Sequence, residues 1–123
     1  MLRASGECVI NVPTADMLDT VVGVGNVSGA EGDKFERFKL ERTTSQKVAA
    51  PSLPQCHASL ECRIHDDRAA ERYNLFILEV LHIDARDHPT APEYAHYVGD
   101  GEFMLSGKRV SRRHLFRPDM LGI

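Results

Sequence analysis

The stretch from Arg72 to Asp84 constrains the fold of this chain more than any other segment. Its apolar residues do not alternate with polar ones, so both faces of an extended strand would be apolar. A strand of that kind is covered on both sides, as in the middle of a sheet or a barrel wall. A buried helix would show the same lack of alternation, but the β-branched and aromatic content favours a strand. We therefore expect a central strand here.

Length and composition predict one soluble domain, spanning residues 1–123. The chain is 42% hydrophobic and 27% charged, and its apolar runs are too short to cross a membrane. Its start lacks the apolar core of a signal peptide, so we expect a cytoplasmic protein without a membrane partner. A net charge of −3 gives no reason to expect a nucleic-acid partner.

Short strands and short helices are predicted before this stretch. Glu7–Val12 has the composition of a strand that Pro13 ends, and Thr14 is placed to cap the next helix. The glycines of Gly23–Gly32 predict a flexible connection, after which Asp33 caps another short helix.

A second strand is predicted from Cys56 to Ile64, where alternation places an apolar face inward and a polar face outward. A turn at Asp66–Arg68 would join it to the central strand as an antiparallel hairpin. Glu102–Ser106 is predicted to be a last short strand. The expected fold class is mostly β with short helices, arranged as a small barrel.

The cysteines and histidines of the second strand do not predict a metal site. Cys56 and Cys62 would lie about 20 Å apart along an extended strand, and His57 and His65 would point to the opposite face. We interpret the thiols as buried and structural, in a reducing compartment. The glycines after the first helix also fail as a dinucleotide fingerprint, which follows a strand and opens a helix. No catalytic or metal-binding residue is predicted.

The order of several short motifs is more informative than any one of them. Together they resemble the flavin reductase-like family, the FMN-binding split β-barrel proteins that include flavoredoxin. The resemblance rests on Glu7–Pro13, Ser28-Gly29, Asp33-Lys34-Phe35, Ala50-Pro51, Leu60-Glu61-Cys62, Phe76–Val80, Tyr97–Phe103 and Ser106-Gly107. It covers nearly all of this chain and implies the C-terminal two-thirds of the family's domain, a split barrel incomplete at its N-terminus.

The resemblance implies a homodimer that holds FMN near the subunit interface and transfers hydride between NADH or NADPH and the flavin. Family members carry another half-barrel before the strand that begins here at Glu7, and that part supplies much of the contact to the flavin phosphate and ring. We therefore expect an FMN-binding flavin reductase-like oxidoreductase, active when the whole domain is present. The alternative is a non-catalytic partial barrel that dimerises or regulates without binding flavin.

Three cofactor-binding residues are predicted from the resemblance. Lys34 would face the flavin phosphate or the reduced ring, although a solvated helix lysine would fit the sequence equally well. Phe103, beside a Gly-Asp-Gly turn, would pack on the ring, or else simply in the core. Asn74 stands where many relatives have a histidine near the nicotinamide. Because flavin carries the redox chemistry, no protein acid, base or nucleophile is required.

Overall fold

The computed structural model describes residues 2–87 and 91–122, so the predicted loop from Asp87 to Pro92 lies partly outside the described residues. Short helices alternate with strands through the first two thirds of the chain. The α-helices are α1 (Leu2–Ser5), α2 (Leu18–Gly25), α3 (Lys34–Arg37) and α4 (Ala70–Tyr73). The strands are β1 (Glu7–Val12), β2 (Ala58–Asp66), β3 (Ile77–Ala85), β4 (Ala95–Gly99) and β5 (Glu102–Leu105).

The strands form two sheets. β2 lies in the middle of a three-stranded antiparallel sheet, with β1 on one side and β3 on the other. β4 and β5 form a separate antiparallel hairpin. The turn of that hairpin holds Gly99, Asp100 and Gly101 at φ of 117°, 50° and 79°, a left-handed path that glycine adopts readily. The predicted strands at Glu7–Val12 and near Glu102 and the antiparallel pairing of β2 with β3 are confirmed.

The prediction that Arg72–Asp84 is a central strand is wrong. Its first residues end α4, and the strand that follows, β3, pairs only with β2 among the described residues. Its apolar side chains are open on both sides, since Ile77 is 52% exposed and Ile83 is 57% exposed. The physical reason is that apolar residues on both faces favour a covered strand but cannot supply the covering element, and the described chain leaves several of these residues exposed.

The faces of β2 also differ from the prediction. Ser59 and Glu61, assigned to the outer polar face, are 1% and 3% exposed, because the segment 45–53 folds over them. Cys62, assigned to the inner apolar face, is buried as predicted. A bulge between Glu61 and Cys62 shifts the register of β2 against β3. The cost of burying polar groups is offset by hydrogen bonds that sequence alternation does not reveal.

The segment Gly23–Gly32 is not the flexible connection predicted from its glycines. α2 continues through Gly23 to Gly25, and Ser28 opens a short 3₁₀ turn with a capping box to Glu31. The helix also packs closely against α3, where the ring of Phe38 approaches the Cα hydrogens of Gly23. Glycine is therefore used here for close contact between helices rather than for flexibility.

Helix ends agree better with the sequence. Gly6 ends α1 at φ 72°, with its N–H donating to the carbonyl of Leu2 at 2.8 Å. Asp33 caps α3 as predicted, whereas Thr14 precedes its helix without a side-chain cap to the backbone. None of the helices in the described ranges is long and apolar enough to span a bilayer.

Candidate functional site

A cleft of about 690 Å³ lies over β1, between α1, α3 and the segment 49–51. This volume falls within the range of about 300–1,000 Å³ common for ligand pockets. The wall combines apolar groups with a few polar ones. It is formed by Leu2, Ser5, Glu7, Cys8, Val9, Asn11, Phe35, Ala49, Ala50 and Pro51. Three of the motifs that carry the family resemblance therefore meet at one cleft.

The aromatic part of the cleft wall is held by the start of α3. The carboxylate of Asp33 accepts the backbone N–H of Phe35 at 2.8 Å, and the guanidinium of Arg42 lies 3.9 Å from the centre of the Phe35 ring. Arg42 also forms an ion pair with Asp33. The Phe35 N–H first, and then Arg42, hold the pKa of Asp33 below its usual value. Asp33 thus holds the backbone of Phe35, and Arg42 covers one face of its ring.

The opposite wall, the segment 49–51, is attached to β1 by side chains. A carboxylate oxygen of Glu7 accepts the N–H of Ala49 at 2.6 Å. The amide oxygen of Asn11 accepts the N–H of Leu53 at 3.1 Å and the hydroxyl of Ser59 at 2.8 Å. These side chains satisfy the backbone N–H groups of Ala49 and Leu53 and so join this wall to β1.

Lys34 lies beside the cleft at the start of α3. Its ammonium donates to the carbonyl of Val24 at 2.9 Å, which ties α3 to the end of α2. A lysine ammonium has three N–H donors, so this contact leaves two for another acceptor. The Lys34 ammonium is therefore not fully solvated, but it keeps N–H donors for a ligand. The predicted contact with flavin stays a prediction.

Asn74 lies elsewhere, between α4 and β3. It adopts a left-handed conformation at φ 51° and ψ 35°, and its N–H donates to the carbonyl of Ala70 at 2.9 Å. Asparagine tolerates this conformation better than most residues, which explains its place at the helix end. Its neighbours line a shallow groove of about 330 Å³ formed by Asp66, Arg68, Ala69, Arg72, Tyr73, Leu75 and Ile77.

Phe103 is half-buried on β5, and its ring centre lies 5.2 Å from that of Tyr97. It faces a third cavity, of about 250 Å³, between the start of α2 and the β4–β5 hairpin. The lining residues are Val12, Pro13, Thr14, Leu18, Val21, Tyr94, Ala95 and Phe103. Packing against these groups is what the alternative interpretation of Phe103 predicts, and a contact with flavin stays a prediction.

The structure does not bring the three predicted residues together. Within the described residues, no hydrogen bond, ion pair or ring contact joins Lys34, Asn74 or Phe103 to one another. Sequence reasoning also missed Phe35 and Asn11 as cleft residues. The signal was present, because both lie in motifs quoted for the resemblance, but only the fold shows that those motifs share one cavity. Across residues 2–87 and 91–122, no cluster of His, Cys, Asp or Glu could hold a metal ion.

Comparison with known proteins now assigns the family. The model of the flavin reductase like domain matches residues 1–102. The chain belongs to the flavin reductase-like family. An uncharacterised protein of Archaeoglobus fulgidus is 37% identical to it over 87 residues, which cover 71% of this chain and 49% of the relative. This family member thus spans about half the length of the curated relatives it matches.

Solved structures give the same fold. An FMN-binding domain of a flavin reductases-like enzyme from Shewanella baltica superimposes with a TM-score of 0.78 at 28% identity, covering 89% of this chain and 65% of that one. Flavoredoxin of Desulfovibrio vulgaris superimposes with a TM-score of 0.73 at 16% identity, covering 91% and 65%. The two sheets and short helices therefore correspond to the split barrel of flavin reductase-like proteins, as the sequence motifs predicted.

Proposed function

We propose that this flavin reductase-like chain binds FMN in the cleft over β1 and takes part in hydride transfer between NADH or NADPH and the flavin or a bound acceptor. The observation that carries the proposal is the convergence of Glu7–Asn11, Phe35 and Ala50-Pro51 on one cleft of about 690 Å³. The Shewanella baltica domain, 28% identical, supports it because that protein is an FMN-binding domain.

The residues of the cleft fit a flavin. Phe35 offers a flat aromatic surface for an isoalloxazine ring, and Val9 and Pro51 add apolar contact on the other walls. Lys34, next along the chain from Phe35, can direct a remaining N–H group toward a phosphate or an electron-rich ring. Asn11 already accepts two hydrogen bonds through its amide oxygen, which leaves its amide N–H groups for a ligand.

When bound, FMN supplies the hydride chemistry, so the chain's own residues bind, orient and exclude water. Asp33 and Arg42 hold Phe35 in place, and Glu7 and Asn11 hold the facing wall. We place Asn74 on the nicotinamide side, where it can donate or accept a hydrogen bond but cannot change charge near neutral pH. Phe103 lines the separate cavity under the β4–β5 hairpin, so in this proposal it packs there, the alternative that its sequence context left open.

Titration with FMN tests the proposal. We would follow quenching of flavin fluorescence by the 123-residue chain and by a version extended with the family's preceding half-barrel. In the extended protein, Phe35→Ala should weaken FMN binding about tenfold through loss of ring contact. Phe116→Ala is the control, since Phe116 is exposed and lies outside the cleft.

Oxidation of NADH and NADPH with FMN as acceptor then separates binding from turnover. An extended protein that binds FMN should consume one of the two nucleotides, and Asn74→Ala should raise the KM for that nucleotide without changing FMN affinity. If neither version binds FMN saturably, the proposal fails. The partial barrel would then be a non-catalytic, dimerising module.

A further inference from the structure

Two cysteines face each other across the first two strands. Cys8 on β1 is paired directly with Cys62 on β2, and both thiols are free. Directly opposite residues of an antiparallel pair project from the same face of the sheet. The two thiols are therefore neighbours, although 53 residues lie between them in the sequence and their spacing predicts no pairing.

The register fixes how far apart the two backbones lie. Ile64 donates its N–H to the carbonyl of Gly6 at 2.7 Å, two residues before Cys8 on β1 and two after Cys62 on β2. Because hydrogen-bonded and non-bonded pairs alternate, Cys8 and Cys62 form a hydrogen-bonded pair with Cα atoms about 5.5 Å apart. Disulfides span Cα separations of about 4.4–6.8 Å, so the Cα separation of this pair is compatible with one.

We propose that Cys8 and Cys62 form a reversible intrachain disulfide. This proposal goes beyond flavin binding, and because Cys8 lines the cleft over β1, it is tested on the flavin-free chain. The two sulfurs differ in access, since Cys62 is 0% exposed whereas Cys8 is half-buried and lines the cleft over β1. Burial first, and the neighbouring Cys8 second, raise the pKa of the Cys62 thiol. Cys8 is therefore the sulfur that an oxidant meets, and Cys62 is the resolving thiol.

Hydrogen peroxide can oxidise the two thiols to the disulfide in two steps. The deprotonated Cys8 sulfur attacks one oxygen of hydrogen peroxide, the O–O bond breaks, and the departing hydroxide takes up the Cys8 proton as water. The Cys62 sulfur then attacks the sulfenic sulfur of Cys8, the S–O bond breaks, and the second hydroxide leaves as water with the Cys62 proton. Two thiols lose two electrons in all, and one peroxide becomes two waters.

The third cysteine provides a matched control. Cys56 is buried, precedes β2, and has no cysteine opposite it in the strand register. Burial raises the pKa of its thiol, against a smaller opposing effect of Arg86, so it is also a protonated, shielded thiol at neutral pH. It differs from Cys62 mainly in lacking a partner across the sheet. Any oxidation that reflects general thiol reactivity would involve Cys56 as readily as Cys62.

The experiment exposes the purified 123-residue chain to hydrogen peroxide, quenches it, unfolds it, and alkylates the remaining thiols for mass spectrometry. We expect one alkylated thiol per chain, at Cys56, and a crosslinked peptide pair containing Cys8 and Cys62. Dithiothreitol should restore three alkylated thiols. Cys56→Ser should still form the crosslink, whereas Cys8→Ser should leave Cys62 reduced.

Thermal unfolding gives a second measurement that does not depend on peptide mapping. The bond would close a long loop between β1 and β2, so the oxidised chain should melt at least about 5 °C above the reduced chain. Cys8→Ser, a half-buried position that tolerates a hydroxyl, should show no such difference. Crosslinks that join separate chains, a pair that includes Cys56, or three thiols that remain reduced after peroxide would each overturn the proposal.

Discussion

The carboxylate of Glu61 accepts the backbone N–H of Lys47 at 2.6 Å, and its other oxygen accepts the N–H of Gln46 at 2.9 Å. One side chain in the central strand of the sheet thus satisfies two donors of a segment that has little backbone pairing of its own. Although burial opposes ionisation, these N–H groups keep the pKa of Glu61 below its ordinary value. The segment that leads to the cleft wall therefore depends on a charged group in the sheet.

Glu61→Gln should loosen this segment and lower the thermal midpoint by several degrees, because an amide N–H₂ would replace one acceptor oxygen. The effect should depend on pH. The pKa of Glu61 in the folded chain lies below the ordinary value of 4.5. The contribution of its carboxylate to the free energy of unfolding is therefore complete above pH 4.5 and is lost as the pH falls toward the folded pKa. The variant should lack this part of the acid destabilisation.

Thermal unfolding between pH 3 and pH 7 (roughly the range in which carboxyl groups titrate) measures this difference. Glu102→Gln on β5 is the control, because Glu102 is exposed and caps no backbone N–H group. Hydrogen exchange at the amides of Gln46 and Lys47 should speed up in Glu61→Gln alone. Equal unfolding curves for all three proteins would show that the segment is held by other contacts.

Gly23→Ala should destabilise the fold, although alanine favours helices by up to about 1 kcal/mol. A Cβ on Gly23 would lie 2.5 Å from a ring carbon of Phe38, so α2 and α3 must separate or the ring must turn. Crowding of this kind costs about 1–3 kcal/mol, which outweighs the gain in propensity. Gly25→Ala is the matched control in the same helix, since a Cβ there meets nothing within 4 Å.

Urea unfolding of the two variants decides between crowding and propensity. Gly25→Ala should raise the free energy of unfolding by about 0.5–1 kcal/mol, whereas Gly23→Ala should lower it. A higher free energy of unfolding in both variants would mean that the Phe38 ring can turn aside at little energetic cost. Adding Phe38→Leu to Gly23→Ala should recover part of the loss, because the smaller side chain removes the collision.

Local signals in this sequence predicted local structure well. Pro13 ended β1 and Asp33 capped α3, because each acts through its own backbone or the next turn. Burial was harder to predict, because it depends on what lies above a strand. The apolar residues of β3 suggested a central strand, and nothing in their order shows that the described chain leaves its outer edge unpaired.

The site followed the same rule. The order of the motifs identified the family. It pointed to Lys34, Asn74 and Phe103 one at a time, from their positions in or near separate motifs, and so could not show which of them share a site. Only the three-dimensional arrangement shows that Phe35 and the β1 residues share a cleft, whereas Phe103 lines another cavity. Likewise, the Cys8–Cys62 pairing follows from the register of β1 against β2, which the long connection between these strands makes unreadable in the sequence.

We expect the chain to self-associate, most simply as a two-fold dimer. The outer edge of β3 is unpaired in the described part of the chain, and Ile77, Val80 and Ile83 present apolar side chains there. Open edges and apolar patches of this kind favour pairing. Sedimentation at micromolar concentration should give about twice the chain mass of 13.7 kDa.

A lysine placed on that strand tests the surface involved. Ile83→Lys should shift the protein toward monomer, because pairing would bury its charge. Val110→Lys is the control, since Val110 is also exposed, at 70% compared with 57% for Ile83, but lies after the last strand. A folded, monomeric wild-type chain would contradict the prediction, and loss of the dimer in both variants would point to a different surface.

Lys34→Ala should weaken FMN binding by about 1.5–3 kcal/mol, the range for a hydrogen bond to a charged group, or roughly 10- to 150-fold in Kd. The substitution also removes the contact to the Val24 carbonyl, so the thermal midpoint must be measured beside affinity. Lys47→Ala, at an exposed position outside the cleft, should leave affinity unchanged. Unaltered FMN affinity in Lys34→Ala would mean that this lysine only joins α3 to α2.

Finally, the 123-residue chain should bind FMN weakly, and the version extended with the family's preceding half-barrel should bind it well. A flavin phosphate requires several N–H groups or cations that converge on it. Lys34 lies beside the cleft over β1 and the Asn11 amide lines it, but apart from Ser5 and Cys8 the remaining wall is apolar or acidic. Two or three missing charge-assisted hydrogen bonds, at about 1.5–3 kcal/mol each, would move a micromolar site into the millimolar range.

Desalting both proteins after incubation with FMN distinguishes the two cases, because only a tightly held flavin survives the column. Absorbance between 350 and 500 nm (roughly the region of oxidised flavin) should remain with the extended protein and disappear from the shorter one. Phe35→Ala in the extended protein should release the flavin as well, which ties the spectrum to the cleft over β1. Stoichiometric flavin on the shorter chain would show that β1, α3 and the segment 49–51 suffice to hold FMN.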